Sequence, residues 1–495
     1  MSFFSAGRVR SATISRLTSD RTSRSSSTLR SRSSSQISAS GSQNPLIDVA
    51  LADDEPAASP AALQQSGISN ACVNVIAEVM GAGMLSLPHC VATLGWIVGL
   101  SAVAAFGALS AYSGVILTRT KMNLFPDAES FGDLAFHTVG PTFGAVTRLA
   151  VICTWALLLP FFLLATVNSL RIALPMVHLC FFEWSLLASL ALLIPLQLQT
   201  LHSISYAATL STIAMVLVII LALSDMIATR DLPTSSSNTT HHDLWPPALT
   251  DGQPLTPTVL LDLVSSMCSI VFAYQGQSMY LEIAREMRRP GQFKHASLLA
   301  NGFMCGAFLL TCAIGYSVRG SDVAGFLPDA MSRGPARIAV GLLLAFHLFI
   351  AYLITGQPLH RAIHTYLFPN DLQTRISKAR QAGPFQWLCV TVAMLLFSLL
   401  LSNAVPFFDQ FQALLGSLTG APTLAGWPAL FLLRGYAVKG ERLPIGDRLL
   451  CCFALYLLTP VLMAMGSASA VAAIVNEWGS GTSNPLAGCL HPSFG

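Results

Sequence analysis

The sequence predicts an all-α polytopic membrane protein with about eleven transmembrane helices. Composition is the first indication, because 53% of the 495 residues are hydrophobic and only 10% are charged, whereas soluble domains carry about 25% charged residues. The second is that apolar runs long enough to cross about 30 Å of hydrocarbon recur along the chain. We therefore expect the lipid bilayer as a partner, and the net charge of +3 is too small to indicate nucleic acid.

Residues 1–66 are rich in serine and arginine and precede the first apolar run. Such a segment cannot bury enough apolar surface to offset its chain entropy, so we expect a disordered cytoplasmic tail. No apolar core follows Met1, and the tail is therefore not expected to be a cleavable signal peptide. The membrane domain is expected at 67–476, and a short non-cytoplasmic tail at 477–495.

Eleven apolar runs define the predicted membrane domain. The first two are nearly continuous, and the fourth and the ninth are short for membrane spans. The predicted spans are 68–88, 94–118, 147–169, 184–201, 204–226, 259–281, 297–318, 337–362, 385–402, 408–433 and 449–475.

Lys and Arg residues are distributed unevenly between the two sides of these spans. With the N-terminus in the cytoplasm, 22 of the 27 fall on the cytoplasmic side. Cytoplasmic loops carry an excess of Lys and Arg, so this orientation is the predicted one. The loop 229–257 then lies on the outer or luminal side, and its sequon at Asn238 is a predicted glycosylation site. Cys180 and Cys489 fall on the same side and are candidates for a disulfide bond.

The first ten spans form two halves, at about 67–228 and 258–433, with an extra helix at about 449–475. Because each half has an odd number of spans, the second half is inverted relative to the first. Gly81-Ala-Gly83 interrupts span one, and the polar, glycine-centred patch at 272–278 interrupts span six. Interruptions in matching positions indicate the binding site of a secondary transporter. The alternative is that these glycines only permit close helix packing.

An unwound helix exposes backbone groups that are tolerated only where they face a cavity or a ligand. The half-helix after Gly83 offers N–H groups and a positive dipole end to an anion such as a carboxylate. Carbonyls in the second interruption suit an ammonium group. An amino acid zwitterion therefore fits the two interruptions together, although other anions would suit the first interruption equally. The predicted substrate-binding residues are Gly81, Ala82, Gly83, Ala273, Tyr274, Gln275 and Gly276.

Glu78 is an ionisable residue inside the first apolar run, and such residues mark ion or substrate pathways by default. If the membrane begins near Gly67, eleven residues at about 1.5 Å each place Glu78 about 16 Å deep, close to the midplane. A carboxyl group at that depth is suited to bind and release a coupling proton. The alternative is a protonated carboxyl group that only hydrogen-bonds a neighbouring helix.

Three further polar residues are candidates for ion coupling. Asn74 precedes Glu78 by about one helical turn, His347 lies in span eight, and Thr355 follows on the same span. His347 is a candidate proton relay, with a packing role as the alternative, and the Thr355 hydroxyl suits a sodium ion held with carbonyls of span one. The sequence contains no ATP-binding, nucleophile or metal-ligand motif. We therefore predict no enzyme activity, no metal and no cofactor, the coupling ion being H+ or, as the alternative, Na+.

Three blocks of the sequence resemble the amino acid/auxin permease family, which includes vacuolar, proton-coupled and sodium-coupled neutral amino acid transporters. The resemblance covers about 67–475 and implies a LeuT-type fold of five plus five inverted spans, with the substrate between spans one and six. Where this chain has Ala77-Glu78, family members commonly carry small, polar or basic residues, and that departure favours protons over sodium. The blocks are Asn74…Gly81-Ala-Gly83-Met-Leu-Ser-Leu-Pro88 with Gly95-Trp96, Phe272-Ala-Tyr-Gln-Gly276-Gln…Glu282-Ile…Glu286-Met287-Arg-Arg-Pro290, and Leu415-Gly416-Ser-Leu-Thr-Gly420-Ala-Pro422 with Pro428.

The residues and the resemblance together predict a secondary active transporter of amino acids that works by proton-coupled symport or exchange. Sodium-coupled symport and amino acid sensing through the N-terminal tail are the alternatives. A channel is disfavoured because the sequence shows no charge ring and no carbonyl filter repeat. The resemblance implies a vacuolar or lysosomal membrane or the plasma membrane. The sequence predicts neither the particular amino acid nor an oligomeric state.

Overall fold

The computed structural model of the chain describes residues 67–198, 205–230, 243–247, 256–368 and 383–479. The elements in these ranges are helices, which confirms the predicted all-α class. A helix satisfies its backbone polar groups internally, as the hydrocarbon core of a membrane requires. The predicted tail at 1–66, the sequon at Asn238 and residues 480–495 lie outside the described ranges.

Seven α-helices occupy the predicted first half within the described residues. They are α1 (Ile68–Val79), α2 (Leu87–Leu94), α3 (Trp96–Arg119), α4 (Phe131–Thr138), α5 (Pro141–Ala173), α6 (Phe181–Leu196) and α7 (Ser205–Ala228). α1 and α2 belong to one predicted span and are joined by a 3₁₀ helix at Ala82–Ser86. The two parts are bent by 56° relative to each other. The predicted interruption of span one is thus a real break in the helix.

The second half and the extra helix contain the other described α-helices. They are α8 (Pro257–Ala273), α9 (Tyr280–Arg285), α10 (Phe293–Arg319), α11 (Pro335–Leu367), α12 (Pro384–Ala404), α13 (Phe408–Leu415), α14 (Trp427–Lys439), α15 (Ile445–Phe453), α16 (Thr459–Val461) and α17 (Ser467–Gly479). α8 and α9 are the two parts of span six, separated by residues 274–276 and a 3₁₀ helix at Gln277–Met279. α13 continues into α14 through π-helical turns at Gly416–Gly420 and Pro422–Gly426.

Within the described part of the chain, eight helices are long and apolar enough to cross a membrane, and the bent pair α1–α2 makes nine. The two other predicted spans correspond to α6, which is apolar but has 16 residues, and to the interrupted run from α13 to α14. The count of eleven therefore stays a prediction.

The two broken helices pack against each other near their interruptions. α8 contacts both α2 and the 3₁₀ helix at Ala82–Ser86, and α9 contacts α1. The long helices α5 and α11 pack along each other, and α10 packs against α1 and α3. Gly83 and Gly276 are both buried in this arrangement. The fold therefore brings both interruptions together inside the helix bundle.

Cys180, directly before α6, is disulfide-bonded. The other described cysteines are free thiols. Cys489, its candidate partner in the sequence analysis, lies outside the described residues, so that pairing stays a prediction.

Candidate functional site

A cavity of about 360 Å³ lies where the two broken helices meet. Its walls come from both parts of span six, from α1 and the 3₁₀ helix that follows it, and from α5, α7 and α11. The structure brings nine of the eleven residues predicted to bind substrate or ions into this lining. They are Asn74, Glu78, Gly81, Ala82, Gly83, Gln275, Gly276, His347 and Thr355.

The cavity extends from the interruptions toward the end of the bundle where α1 begins. Asn74, Ala77 and Glu78 line it and are exposed, and their spacing places them on one face of α1. Glu282 and Glu286, at the end of span six, line it as well. The cavity is therefore accessible from the side of the membrane on which span one starts.

Aromatic side chains close the opposite end of the cavity. The ring of Phe161, in the cavity wall, lies 5.0 Å from that of Phe272 and 5.0 Å from that of Phe408. Phe411 lies 6.0 Å from Phe161, and Phe326 lies 5.0 Å from Phe408. Aromatic pairs at these separations attract each other beyond their burial. This aromatic cluster gives the cavity one open and one closed end.

A polar contact lies beside the aromatic cluster. The Nε2 atom of His89, in α2, lies 4.0 Å from a carboxylate oxygen of Asp409, in α13. The Nδ1 atom of His89 donates a hydrogen bond to the carbonyl of Val323 over 3.0 Å. These contacts join the second part of span one to α13 and to the segment after α10.

The interruption of span one presents backbone N–H groups to the cavity. α1 ends at Val79, the 3₁₀ helix starts at Ala82, and no side chain caps that start. The first N–H groups of a helix have no partner within the helix, and they carry its positive dipole end. The Gly81 N–H donates to the Val79 carbonyl over 3.0 Å. The N–H groups of Ala82 and Gly83, which line the cavity, suit an anionic group such as a carboxylate.

Glycine is required where the two broken helices cross. A Cβ atom on Gly83 would lie 3.0 Å from the Cα atom of Ala273 and 3.0 Å from the ring of Phe272. A Cβ atom on Gly276 would lie 2.5 Å from a methyl group of Val79. Contacts this short force backbone or packed side chains apart. The glycines predicted from sequence thus serve the close approach of spans one and six as well as the cavity lining.

The interruption of span six leaves only some of its carbonyls available. The carbonyl of Tyr274 accepts a hydrogen bond from the Gln277 side chain over 2.9 Å, and that of Gly276 accepts one from the Met279 N–H over 3.1 Å. The carbonyls of Ala273 and Gln275 accept none from the described residues.

Ala273 and Tyr274 do not line the cavity. Both are buried, with exposed fractions of 1% and 0%. The Tyr274 ring packs against that of Phe308, 5.0 Å away. That these two residues bind substrate stays a prediction. For Tyr274, neither the position of the side chain nor the bonded carbonyl supports this role.

Gln412, which the sequence analysis did not single out, joins the two broken helices. Its Nε2 atom donates to the carbonyl of Gly83 over 2.8 Å and to that of Ser269, in α8, over 3.2 Å. The side chain is fully buried. The sequence does show Gln412 as a polar residue within the apolar run of span ten. Its role could not be predicted from that pattern, because its hydrogen-bond partners are far away in the sequence. Gln275, in the lining, bonds Thr419 of the same span over 3.1 Å.

Glu78 lies directly against the interruption of span six. Its Cγ atom is 3.6 Å from the position of a Cβ atom on Gly276. Glu78 lines the cavity. Glu78 also shares the cavity with two carboxylates that were not predicted as site residues, Glu282 and Glu286. The lining contains no Lys or Arg among the described residues, so the cavity has an acidic mouth.

His347 is 6% exposed and directs one ring nitrogen toward the interruption of span one. Its Nδ1 atom lies 3.0 Å from the carbonyl and 2.9 Å from the hydroxyl of Ser211. Its Nε2 atom lies 3.8 Å from the position of a Cβ atom on Gly81. Thr355 lines the same cavity from the same helix. The described residues contain no group of three His, Cys, Asp or Glu arranged to hold a metal ion.

Comparison with known proteins identifies related transporters. The family model described as transmembrane amino acid transporter protein matches residues 64–473. Amino acid transporter AVT1B of Arabidopsis thaliana is 24% identical over 443 residues, which cover 86% of this chain and 76% of the relative. Amino acid transporter AVT3A of the same plant is 25% identical over 398 residues, covering 78% of this chain and 85% of the relative. Vacuolar amino acid transporter 4 of Saccharomyces cerevisiae is 22% identical over 401 residues, covering 74% of this chain and 53% of the relative.

The fold is also found among solved structures. The crystal structure of MhsT in complex with L-phenylalanine superposes with a TM-score of 0.53 at 15% identity, covering 82% of this chain and 99% of that protein. MhsT is a LeuT-fold transporter, so the predicted LeuT-type fold is confirmed. The matched region contains both broken helices and the cavity, and the chain belongs to the transmembrane amino acid transporter family, whose members are transporters and not enzymes.

Proposed function

We propose that the protein is a secondary active transporter that moves an amino acid across the membrane together with a proton, by symport or exchange. The observation that carries this proposal is the cavity between the two helix interruptions, which combines the backbone N–H groups of Ala82 and Gly83, the free carbonyl of Gln275 and the side chain of Glu78. The relatives named amino acid transporters support the substrate class. The proposal requires no cofactor besides the coupling ion.

The substrate zwitterion would lie between spans one and six. Its carboxylate would accept hydrogen bonds from the N–H groups of Ala82 and Gly83, where the helix dipole favours negative charge. Its ammonium group would donate to the carbonyl of Gln275, a residue of the cavity lining whose carbonyl accepts no hydrogen bond from the described residues. The cavity volume of about 360 Å³ suits a small molecule of this kind.

The coupling proton would be carried by Glu78. Its side chain lies in the cavity lining and against the interruption of span six. A protonated Glu78 is neutral and allows the broken helices to repack around the substrate, whereas an ionised one opposes burial. Sodium coupling through Thr355 is the competing arrangement, because that hydroxyl lines the same cavity.

Transport in a purified system tests the proposal. Protein in liposomes should accumulate at least one labelled amino acid from a panel when a pH gradient is imposed, and a protonophore should abolish this accumulation. A sodium gradient at equal pH should have no effect. Accumulation driven by sodium alone would assign the coupling to Thr355, and failure to move any amino acid on the panel would refute the transport function.

The proposed location is a vacuolar or lysosomal membrane or the plasma membrane, with the N-terminus in the cytoplasm. The relative named as a vacuolar transporter supports the vacuolar or lysosomal membrane. The 22 Lys and Arg residues on the predicted cytoplasmic side support the orientation. A tag at residue 1 should be protected from protease in sealed cells, whereas in isolated sealed vacuoles, whose outer face is cytoplasmic, protease should remove it. Glycosidase should shift the mass of the protein, and Asn238→Gln should remove that shift. An N-terminal tag that is accessible from outside sealed cells would contradict the orientation.

A further inference from the structure

A buried polar network holds the interruption of span six on the side away from the cavity. Gln277, the first residue after the unwound segment, is fully buried, as are Ser110 of α3 and Tyr280 of α9. The side-chain amide of Gln277 folds back over the interruption. Its Nε2 atom donates to the Tyr274 carbonyl over 2.9 Å, and its Oε1 atom accepts from the Gly276 N–H over 3.1 Å.

The network fixes which end of the Gln277 amide faces each partner. Asn301, in α10, uses its Nδ2 group to donate to the Ser297 carbonyl and to Tyr280, so its Oδ1 atom is the acceptor. Ser110 donates its hydroxyl proton to that atom over 2.6 Å. Ser110 must therefore accept from Nε2 of Gln277, which it does over 2.8 Å. Each member has its partners, and a satisfied buried network of this kind holds one arrangement.

We infer that Gln277 is a positioning residue for the amino acid site. By satisfying the Tyr274 carbonyl and the Gly276 N–H, its amide fixes the path of the unwound segment. The carbonyl of Gln275, a residue of the cavity lining, then stays without a partner in the described structure and available to the substrate ammonium group. This inference rests on the proposed function, because it concerns how that site recognises its substrate. Gln277 itself does not line the cavity.

The side chain at this position has to be both donor and acceptor. Gln277→Glu keeps the shape but places an acceptor oxygen against the Tyr274 carbonyl and the Ser110 hydroxyl oxygen. Gln277→Leu leaves a buried N–H and a buried carbonyl unsatisfied. Either change releases the unwound segment from its path, since buried groups without partners carry a large free-energy cost.

The test compares recognition of the substrate ammonium group. Binding to purified protein is measured by thermal stabilisation, with a transported amino acid and with the same molecule lacking its α-amino group. Wild-type protein should prefer the amino acid, and Gln277→Glu should lower this preference by about tenfold, with weaker binding of the amino acid only. Ser110→Ala, which removes one acceptor, should act in the same direction with a smaller effect. Uptake measurements should show a raised KM with a smaller change in the maximal rate.

Gln197→Glu is the matched control. Gln197 bonds the Leu193 carbonyl and Thr391 away from the cavity, so the same substitution should leave the preference unchanged. A purely structural role for Gln277 would lower the amount of folded protein without altering the preference. Unchanged preference in both Gln277→Glu and Ser110→Ala overturns the inference, and Ser110→Ala decides it alone if the first variant does not fold. Binding that changes as expected in a protein that transports nothing would refute the proposed transport while supporting this inference.

Discussion

Glu78→Gln is expected to bind substrate and to exchange it across the membrane, but to lose accumulation driven by a pH gradient. Glutamine resembles a protonated carboxyl group in shape and in hydrogen bonding, so the broken helices can still repack around the substrate. It cannot release a proton, and the cycle of protonation and deprotonation that drives net transport therefore stops. Uptake into liposomes with an imposed pH gradient, and counterflow of labelled substrate without one, measure the two activities separately.

Glu441→Gln is the matched control for this prediction. Glu441 is exposed on the segment after α14, far from the cavity lining, so the same chemical change should leave accumulation intact. If Glu78→Gln still concentrates substrate with the pH dependence of the wild-type protein, Glu78 is a structural residue. Coupling would then rest on sodium at Thr355 or on His347, whose Nε2 atom faces the other interruption.

Gly83→Val is expected to abolish uptake without lowering the amount of protein in the membrane. A Cβ atom at this position would already be 3.0 Å from the backbone of Ala273, and valine adds two further methyl groups. The side chain would separate spans one and six and displace the N–H groups of the first interruption, because only glycine allows this close backbone approach. Uptake rates normalised to protein at the membrane surface provide the measurement.

Gly302→Val provides the comparison in this case. Gly302 lies on α10, and a Cβ atom there would have no neighbour within 4 Å. The same substitution should therefore leave uptake near the wild-type rate, apart from the propensity cost of valine in a helix. Uptake kinetics of Gly83→Val that match the wild-type protein would remove Gly83 from the substrate site.

Much of the fold follows from local sequence. Apolar runs of about 20 residues form helices because the hydrocarbon core accepts no unsatisfied backbone groups. The two helix interruptions are also local features, since each depends on the composition of a few adjacent residues. Gly81 and Gly83 mark the first interruption, and the glycine-centred patch around Gly276 marks the second. The family resemblance rested on the same short blocks and is confirmed by the family match at 64–473.

Only the tertiary structure decided which groups around the interruptions are available. Tyr274 was predicted with its neighbours as a substrate ligand, but its carbonyl is bonded by Gln277 and its ring is packed against Phe308. Gln412, Glu282 and the aromatic cluster that closes one end of the cavity were not predicted as parts of the site. Their roles depend on contacts between residues separated by many helices in the sequence, such as Gln412 with Gly83.

Local sequence is therefore sufficient to predict the class of the protein, the positions of both helix interruptions and the residues that make them possible. The tertiary structure decided the rotation of each helix about its axis, and with it the side chains and carbonyls that face the cavity. The physical reason is that helix formation and chain breaking are governed by neighbours within a few residues. Helix rotation is set by packing against partners elsewhere in the chain, which a single apolar run does not encode.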